Sequence, residues 1–164
     1  MVSLVVIVIM GLGMNLITFS LFGDNPLYCQ GAVENANLAR VIYPEWTARF
    51  YVAQDVPEDY IKEIEDYGAE VVRCEKKNSY DGLNWRFRPL SSLKVHYWIS
   101  RDADSRLSWR ERNAVDEWME SDKSAHLLRD CHNHGFTIMA GMFGINNKLF
   151  HERYGILNLD NTNA

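Results

Sequence analysis

Short apolar runs rich in β-branched and aromatic residues alternate along this chain with segments whose apolar residues recur at helical spacing. The runs predict strands at 16–22, 47–53, 70–74, 95–100 and 125–128. The helical spacing predicts helices at 32–42, 58–67 and 83–93, and Ser108 and Glu111, at capping-box spacing, predict a further helix. Alternating strands and helices predict an α/β fold with a mostly parallel, doubly wound sheet. Such sheets bind ligands beyond the carboxyl ends of their strands.

The first 22 residues are almost entirely apolar, and residues 2–22 approach the length that spans a bilayer. A membrane anchor or signal is therefore one interpretation. Gly11 and Gly13 lie within the run, and no Lys or Arg precedes it, which favours the other interpretation. In that interpretation 16–22 is a buried strand, and 1–14 is an extra apolar segment that the fold does not need.

The length of 164 residues and the 47% hydrophobic content predict one domain, which we place at 15–150, followed by a polar tail at 151–164. The chain has 17 basic and 22 acidic residues, a net charge of -5, and no run of Lys or Arg. This balance argues against nucleic acid as a partner. A diphosphate could still bind, because a local arginine or a metal ion can override the overall charge.

The three cysteines are widely spaced and odd in number, which favours a reducing, cytoplasmic compartment. One of them, Cys131, lies beside His132 and His134. A zinc site would require a second ligand pair at a suitable spacing, and the sequence has none.

Two carboxylates, Asp102 and Asp104, follow directly after the predicted strand 95–100. Carboxylates so placed can reach one divalent cation directly and through water, and the cation can bridge the phosphates of a nucleotide. The competing interpretation is a charge-paired surface turn, because Arg101 and Arg106 flank the pair.

The segment around these aspartates resembles a known family. It reads Ser-Arg-Asp-Ala-Asp-Ser-Arg at 100–106, then Arg-Glu at 110–111 and Ala-Val-Asp-Glu-Trp at 114–118. Further motifs in the same order, among them Gly-Asp-Asn-Pro at 23–26 and Trp-Arg-Phe at 85–87, extend the similarity over about 16–147. These motifs resemble microbial and viral glycosyltransferase-like proteins of the GT-A fold, whose Asp-x-Asp motif binds a metal. The resemblance implies a Rossmann-like fold, a nucleotide-sugar donor, a Mn or Mg ion, and a glycan or other acceptor.

The resemblance also assigns roles to single residues. Asp104 would be the direct metal ligand, and Asp102 would reach the metal through water or bind the donor ribose. Arg86 and Arg101 would contact the donor diphosphate or order the loop, and for Arg86 a plain surface arginine is the alternative.

Two further positions carry over from the family. His134 would supply a metal ligand or a substrate hydrogen bond, with a solvated loop histidine as the alternative. Gly141 would allow close approach of the sugar, or would simply form a turn.

The chain departs from the family at Cys131-His132 and at Phe143, and it ends at Ala164, soon after the last matching motif. We therefore expect it to be short of the elements that build an acceptor site. This leaves two alternatives to a complete transferase. One is a non-catalytic module that binds the nucleotide sugar. The other is a phosphatase with Asp102 as nucleophile, although that fold places its Asp-x-Asp motif on the first strand.

Overall fold

The computed structural model describes residues 13–78, 80–129 and 138–155. Its sheet contains six strands in this part of the chain: β1 Met14–Leu21, β2 Thr47–Ala53, β3 Glu70–Cys74, β4 Val95–Arg101, β5 Ala125–Leu127 and β6 Met142–Asn146. The helices are α1 Pro26–Ile42, α2 Glu58–Asp66, α3 Asp81–Asn84, α4 Trp109–Met119 and α5 Asn147–Tyr154, and a 3₁₀ helix spans Trp85–Ser91.

The strands lie in the order β3-β2-β1-β4-β6-β5. The first four are parallel, whereas β6 is antiparallel to β4 and β5 is antiparallel to β6. The predicted mostly parallel α/β sheet is confirmed. Because β1 and β4 are parallel neighbours at the centre of the sheet, their carboxyl ends meet at one edge.

Helices cover both faces of the sheet. On one face, side chains of α1, α2 and α4 pack on β1 and β2, where the rings of Phe19 and Phe50 stack with centroids 4.5 Å apart. On the other face, Trp98 of β4 packs with residues of the 3₁₀ helix and α5. Burial on both faces explains the largely apolar sequences of the inner parallel strands β1, β2 and β4.

Helix α1 begins six positions before the predicted start at residue 32. The side chain of Asn25 accepts a hydrogen bond from the backbone N–H of Leu27 at 3.0 Å, and Pro26 occupies the first helical turn. An asparagine cap followed by proline is a strong start signal for a helix. Because of this signal, α1 begins only a few residues after β1 ends. Its first turn therefore lies at the edge of the sheet where β1 and β4 end.

The two C-terminal elements, β6 and α5, were not predicted. Gly144 lies within β6, where a Cβ atom would stand 2.8 Å from Ile99 Cγ2, so a glycine that suggested a loop lies instead in a tightly packed strand. Helix α5 is capped by Asn146 and runs through the tail boundary proposed at residue 151. At its start, the buried Asn147 accepts a hydrogen bond from Trp98 Nε1 at 2.8 Å.

The second half of the apolar N-terminal run is β1, the strand between β2 and β4. Its residues Leu16, Ile17 and Phe19 are fully buried. Residues 1–12 lie outside the described part of the chain. Within that part, no helix has the length and apolar character required to cross a membrane.

Candidate functional site

A cleft of about 420 Å³ opens at the edge of the sheet where β1 and β4 end, and we call it the β1–β4 cleft. Its lining comes from the end of β1, the first turn of α1, the 3₁₀ region and the loop after β4: Ser20, Leu21, Phe22, Asn25, Tyr28, Leu83, Arg86, Asp102, Ala103 and Asp104. Both aspartates predicted to bind a metal therefore line one cleft. The N-terminal end of α1, which carries partial positive charge, also faces it.

The loop that carries the two aspartates, residues 102–107, is held by one fully buried residue of α1. The amide nitrogen of Asn35 donates to the carbonyl oxygens of Ala103 at 3.2 Å and Ser105 at 2.8 Å. Its amide oxygen accepts from the N–H of Leu107 at 3.0 Å. Three hydrogen bonds from one buried side chain fix the loop backbone, so the position of Asp104 is set by the fold.

Arg106, at the end of the same loop, forms an ion pair with Glu34 of α1 and donates to the carbonyl of Ala103 at 3.2 Å. The surface-turn interpretation therefore describes Arg106 well, because this arginine is charge-paired. It does not describe Asp104, which has no ion-pair partner among the described residues and faces the cleft, and Asp102 pairs with Arg86, not with either flanking arginine.

Arg86 is 7% exposed, so it is not the plain surface arginine considered as an alternative. Its Nη1 donates to the Arg101 carbonyl at 3.1 Å and forms an ion pair with Oδ1 of Asp102. The backbone of Arg86 is also held, because Thr18 Oγ1 lies 2.9 Å from its carbonyl oxygen and Ser20 Oγ accepts from its N–H at 3.2 Å. Arg86 thus places a fixed positive charge in the wall of the β1–β4 cleft beside Asp102.

Asp104 differs from Asp102 in its surroundings. It is exposed and lines the cleft, and no described Lys or Arg lies within ion-pair distance of it. Among the described residues, no group of three or more His, Cys, Asp and Glu side chains is arranged to hold a metal. Mg²⁺ commonly binds through one or two carboxylates together with substrate phosphates and water, so Asp104 with Asp102 nearby fits a cation shared with a nucleotide.

Arg101, the last residue of β4, points away from the β1–β4 cleft. Its Nε lies 3.1 Å from Oε1 of Glu111 in α4, and both side chains are buried. Its Nη1 donates to the carbonyl of Gly141 at 2.9 Å. Of its two predicted roles, this geometry corresponds to ordering the loop.

Gly141 is buried against the carboxylate of Asp102, with no room for a Cβ atom between them. The structure thus brings Gly141 together with Asp102 and Arg86, from three separate parts of the chain. His134, the other predicted metal ligand, and the pair Cys131 and His132 lie outside the described residues.

The rim of the cleft after β1 is held by Asp55, whose Oδ1 accepts from the N–H of Gly23 at 2.8 Å. Asp55 also forms an ion pair with Lys76. The hydrogen bond from Lys76, together with that from Gly23, holds the pKa of Asp55 below its usual value. This carboxylate is therefore ionised and holds the loop after β1 in place.

No protein-family model matches the chain, and no curated protein matches it by sequence. Solved structures match it by shape. A mannosyltransferase from Pyrobaculum calidifontis, in complex with GDP-mannose and Mn²⁺, aligns with 88% of this chain at a TM-score of 0.53 and 10% identity. The galactosyltransferase LgtC, in complex with donor and acceptor sugar analogues, aligns with 85% of this chain at a TM-score of 0.50 and 14% identity.

The chain has the GT-A fold. It spans 48% of the length of the mannosyltransferase and 60% of that of the galactosyltransferase. Sequence identities this low establish the architecture only. This architecture is the fold that the motif resemblance implies.

Sequence analysis missed Asn35, the residue that holds the loop. A signal was present, because Asn35 lies between Ala32, Ala36 and Ala39 on the buried stripe of α1. A polar residue on such a stripe must find buried hydrogen-bond partners. The cleft residues Phe22, Asn25 and Tyr28 were also missed, because only the fold brings the end of β1 next to the end of β4.

Proposed function

We propose that the chain binds a nucleotide-sugar donor in the β1–β4 cleft together with Mn²⁺ or Mg²⁺, as a glycosyltransferase or as the donor-binding part of one. One observation carries the proposal. Asp104 presents a carboxylate without an ion-pair partner among the described residues into a cleft at the carboxyl ends of central parallel strands. This is where open α/β sheets bind their ligands.

Asp104 is the residue that would hold the metal directly. Asp102 is the less direct partner, because one of its carboxylate oxygens is already engaged by Arg86. His134 remains a third candidate ligand, on the strength of the motif resemblance. The ion would offset the charge of the donor diphosphate, which makes the nucleotide a better leaving group.

The chain's own groups favour a diphosphate in this cleft. The Arg86 guanidinium is held in the cleft wall by the Arg101 carbonyl and by Asp102, so little side-chain entropy is lost when an anion binds. The N-terminal end of α1 adds partial positive charge at the rim. Asn35 holds the loop of Asp104 in place before any ligand arrives.

A donor-binding module without turnover is the alternative within the same fold. Donor hydrolysis or transfer in the presence of Mn²⁺ would favour the enzyme, and binding without turnover would favour the module. The phosphatase alternative is weakened by the position of the motif. Asp102 follows the fourth strand of the described residues, not the first, and its carboxylate is ion-paired to Arg86.

The test is calorimetric titration of GDP and UDP, each with and without Mn²⁺, into the wild type and two variants. Asp104→Asn keeps the side-chain shape but removes the charge that a hard cation requires, so it should abolish metal-dependent nucleotide binding. Asp102→Asn should weaken binding less. Asp59→Asn, an exposed residue of α2 that does not line the cleft, is the matched control. A wild-type metal response in Asp104→Asn would exclude the proposed site.

A further inference from the structure

A second cleft, of about 250 Å³, is lined by the part of the same loop that follows the aspartates and by the start of α4. We call it the basic cleft, because arginine is the commonest residue in its lining. Its polar lining residues are Arg101, Ser105, Arg106, Ser108, Arg110 and Glu111. It shares no lining residue with the β1–β4 cleft. The two clefts are therefore distinct, and consecutive parts of the loop at 102–107 line them.

The charge of the basic cleft opposes that of the chain. Three arginines and one glutamate line it, whereas the whole chain has a net charge of -5. Arg101 and Arg106 each have one carboxylate partner, Glu111 and Glu34. A guanidinium carries five N–H donors, more than these contacts use, so each arginine can bind another acceptor.

Arg110 is the arginine with the most freedom to bind a ligand. It is exposed, it lines the cleft, and no described carboxylate lies within ion-pair distance of it. Three arginines line this concave space, and one of them, Arg110, has no counter-charge among the described residues.

The start of α4 adds donors to the same place. Ser108 Oγ accepts the N–H of Glu111 at 3.3 Å, whereas the N–H groups of Trp109 and Arg110 belong to the first turn, which has no intrahelical partners. The positive end of this eleven-residue helix therefore reinforces the arginines. Leu128 and Met142 form an apolar side of the cleft, suited to the carbon skeleton of a ligand.

We propose that the basic cleft binds the anionic group, a phosphate or a carboxylate, of an acidic acceptor. The inference rests on the proposed transferase function: the β1–β4 cleft would hold the donor, and the basic cleft would hold the acceptor. Guanidinium groups and helix N-terminal N–H groups suit both oxyanions. An uncharged acceptor would leave Arg110 without a counter-charge among the described residues.

The test uses the full chain, with inorganic phosphate as the probe, at low ionic strength, where charge interactions are least screened. Backbone amide NMR should show phosphate-dependent shifts at Trp109 and Arg110. Arg110→Gln should weaken phosphate binding about tenfold, the loss expected for one charge-assisted hydrogen bond. Arg153→Gln, which removes the same charge from an exposed position on α5, should leave the affinity unchanged.

Two sugar probes then distinguish the sources of the anion. Glucose 6-phosphate and glucuronate should each compete with phosphate if they bind here, and the stronger competitor identifies the acceptor as a phosphate or a carboxylate. Uncharged glucose should not compete. Equal weakening by Arg110→Gln and Arg153→Gln, or no shift at the start of α4, would overturn the inference.

A further arm separates this inference from the proposed function. GDP or UDP with Mn²⁺ should bind without displacing phosphate from the start of α4, and displacement would reassign the basic cleft to the donor. A chain that binds nucleotide in its Asp104-dependent site but binds no phosphate here would overturn the inference alone. A chain that binds phosphate here but no nucleotide would overturn the acceptor assignment together with the proposed function.

Discussion

A Cβ atom at Gly141 would overlap the carboxylate of Asp102, so the backbone at this glycine forms the wall against which the carboxylate rests. Asp102 is thereby confined between Gly141 on one side and the Arg86 guanidinium on the other. This confinement explains why the side chain of Asp102 is held in place, whereas that of Asp104, two residues further on, is exposed. It also provides a test of how the loop is held.

Gly141→Ala should lower the free energy of unfolding by about 1–3 kcal/mol, the usual range for an overpacked site, because the new methyl group displaces the Asp102 carboxylate from Arg86. The measurement is urea denaturation of Gly141→Ala in the wild-type and Asp102→Ala backgrounds. With the carboxylate removed, the methyl group has room, so most of the loss should disappear. Equal losses in both backgrounds would mean that the glycine is required for another reason.

Arg86→Ala should weaken nucleotide binding in the presence of Mn²⁺ and should also lower stability. The variant should still fold, but Arg86 is buried and ion-paired, so its loss has a cost. We expect a loss of about 1–3 kcal/mol, below that of a fully buried pair, since the Asp102 side chain is 42% exposed. Arg88→Ala, an exposed arginine of the same 3₁₀ helix, is the control in calorimetry and urea denaturation. Matching results for the two variants would remove Arg86 from the site.

Asn35→Ala should lower the free energy of unfolding by about 1–3 kcal/mol for each backbone group of the loop that is left without a buried partner. Water that enters the space would reduce this loss. Asn37→Ala changes the same residue type at an exposed position of the same helix, and it should have little effect. Hydrogen exchange gives the local measurement, because the N–H of Leu107 should lose its protection in Asn35→Ala. Retained protection at Leu107 would contradict the role given to Asn35.

His126 of β5 should make the chain less stable below neutral pH. Its ring lies on that of Trp118, with centroids 5.4 Å apart, and burial together with the positive charge of Arg101 lowers its pKa. Above about pH 6.5, the usual histidine pKa, the ring is neutral in both folded and unfolded chains and the shift has no effect on stability. As the pH falls further, the unfolded chain binds the proton first, so folding is disfavoured.

The comparison is the free energy of unfolding at neutral and at mildly acidic pH for the wild type and His126→Phe. Phenylalanine keeps the ring contact with Trp118 but does not titrate, so the variant should lose less stability on acidification. An identical pH dependence in the two proteins would exclude His126 as a contributor.

Most strands could be predicted because their signals are local. β2 and β3 have the predicted bounds, 47–53 and 70–74. β2 is mostly buried whereas β3 is a partly exposed edge strand, but each contains a short run of β-forming residues that ends at polar residues. β6 could not be predicted in this way. It is short, it contains Gly144, and its place between β4 and β5 depends on packing against Ile99 and Trp118.

In the candidate site, too, some features have a local sequence signal and others depend on contacts between distant residues. The place of Asp102 and Asp104 could be anticipated from the sequence, because a motif directly after a parallel strand lies at the carboxyl edge of the sheet, and both line the cleft there. Their binding of a metal stays a prediction. The capping box was half confirmed. Ser108 accepts the N–H of Glu111, but the Glu111 side chain pairs with Arg101. Contacts such as Arg86 with Asp102 join separate elements, and the spacing of residues along the chain does not encode them.

The Asn35 hydrogen bonds also bear on how relatives of this chain can be recognised. An Asp-x-Asp pair alone occurs often by chance, whereas a loop of this shape also requires a buried amide side chain that reaches across from the first helix. Sequences that share the fold and the use of the loop should therefore pair the two aspartates with an asparagine on the small-residue stripe of that helix. A search that requires both features should reject chance matches that the short motif alone would accept.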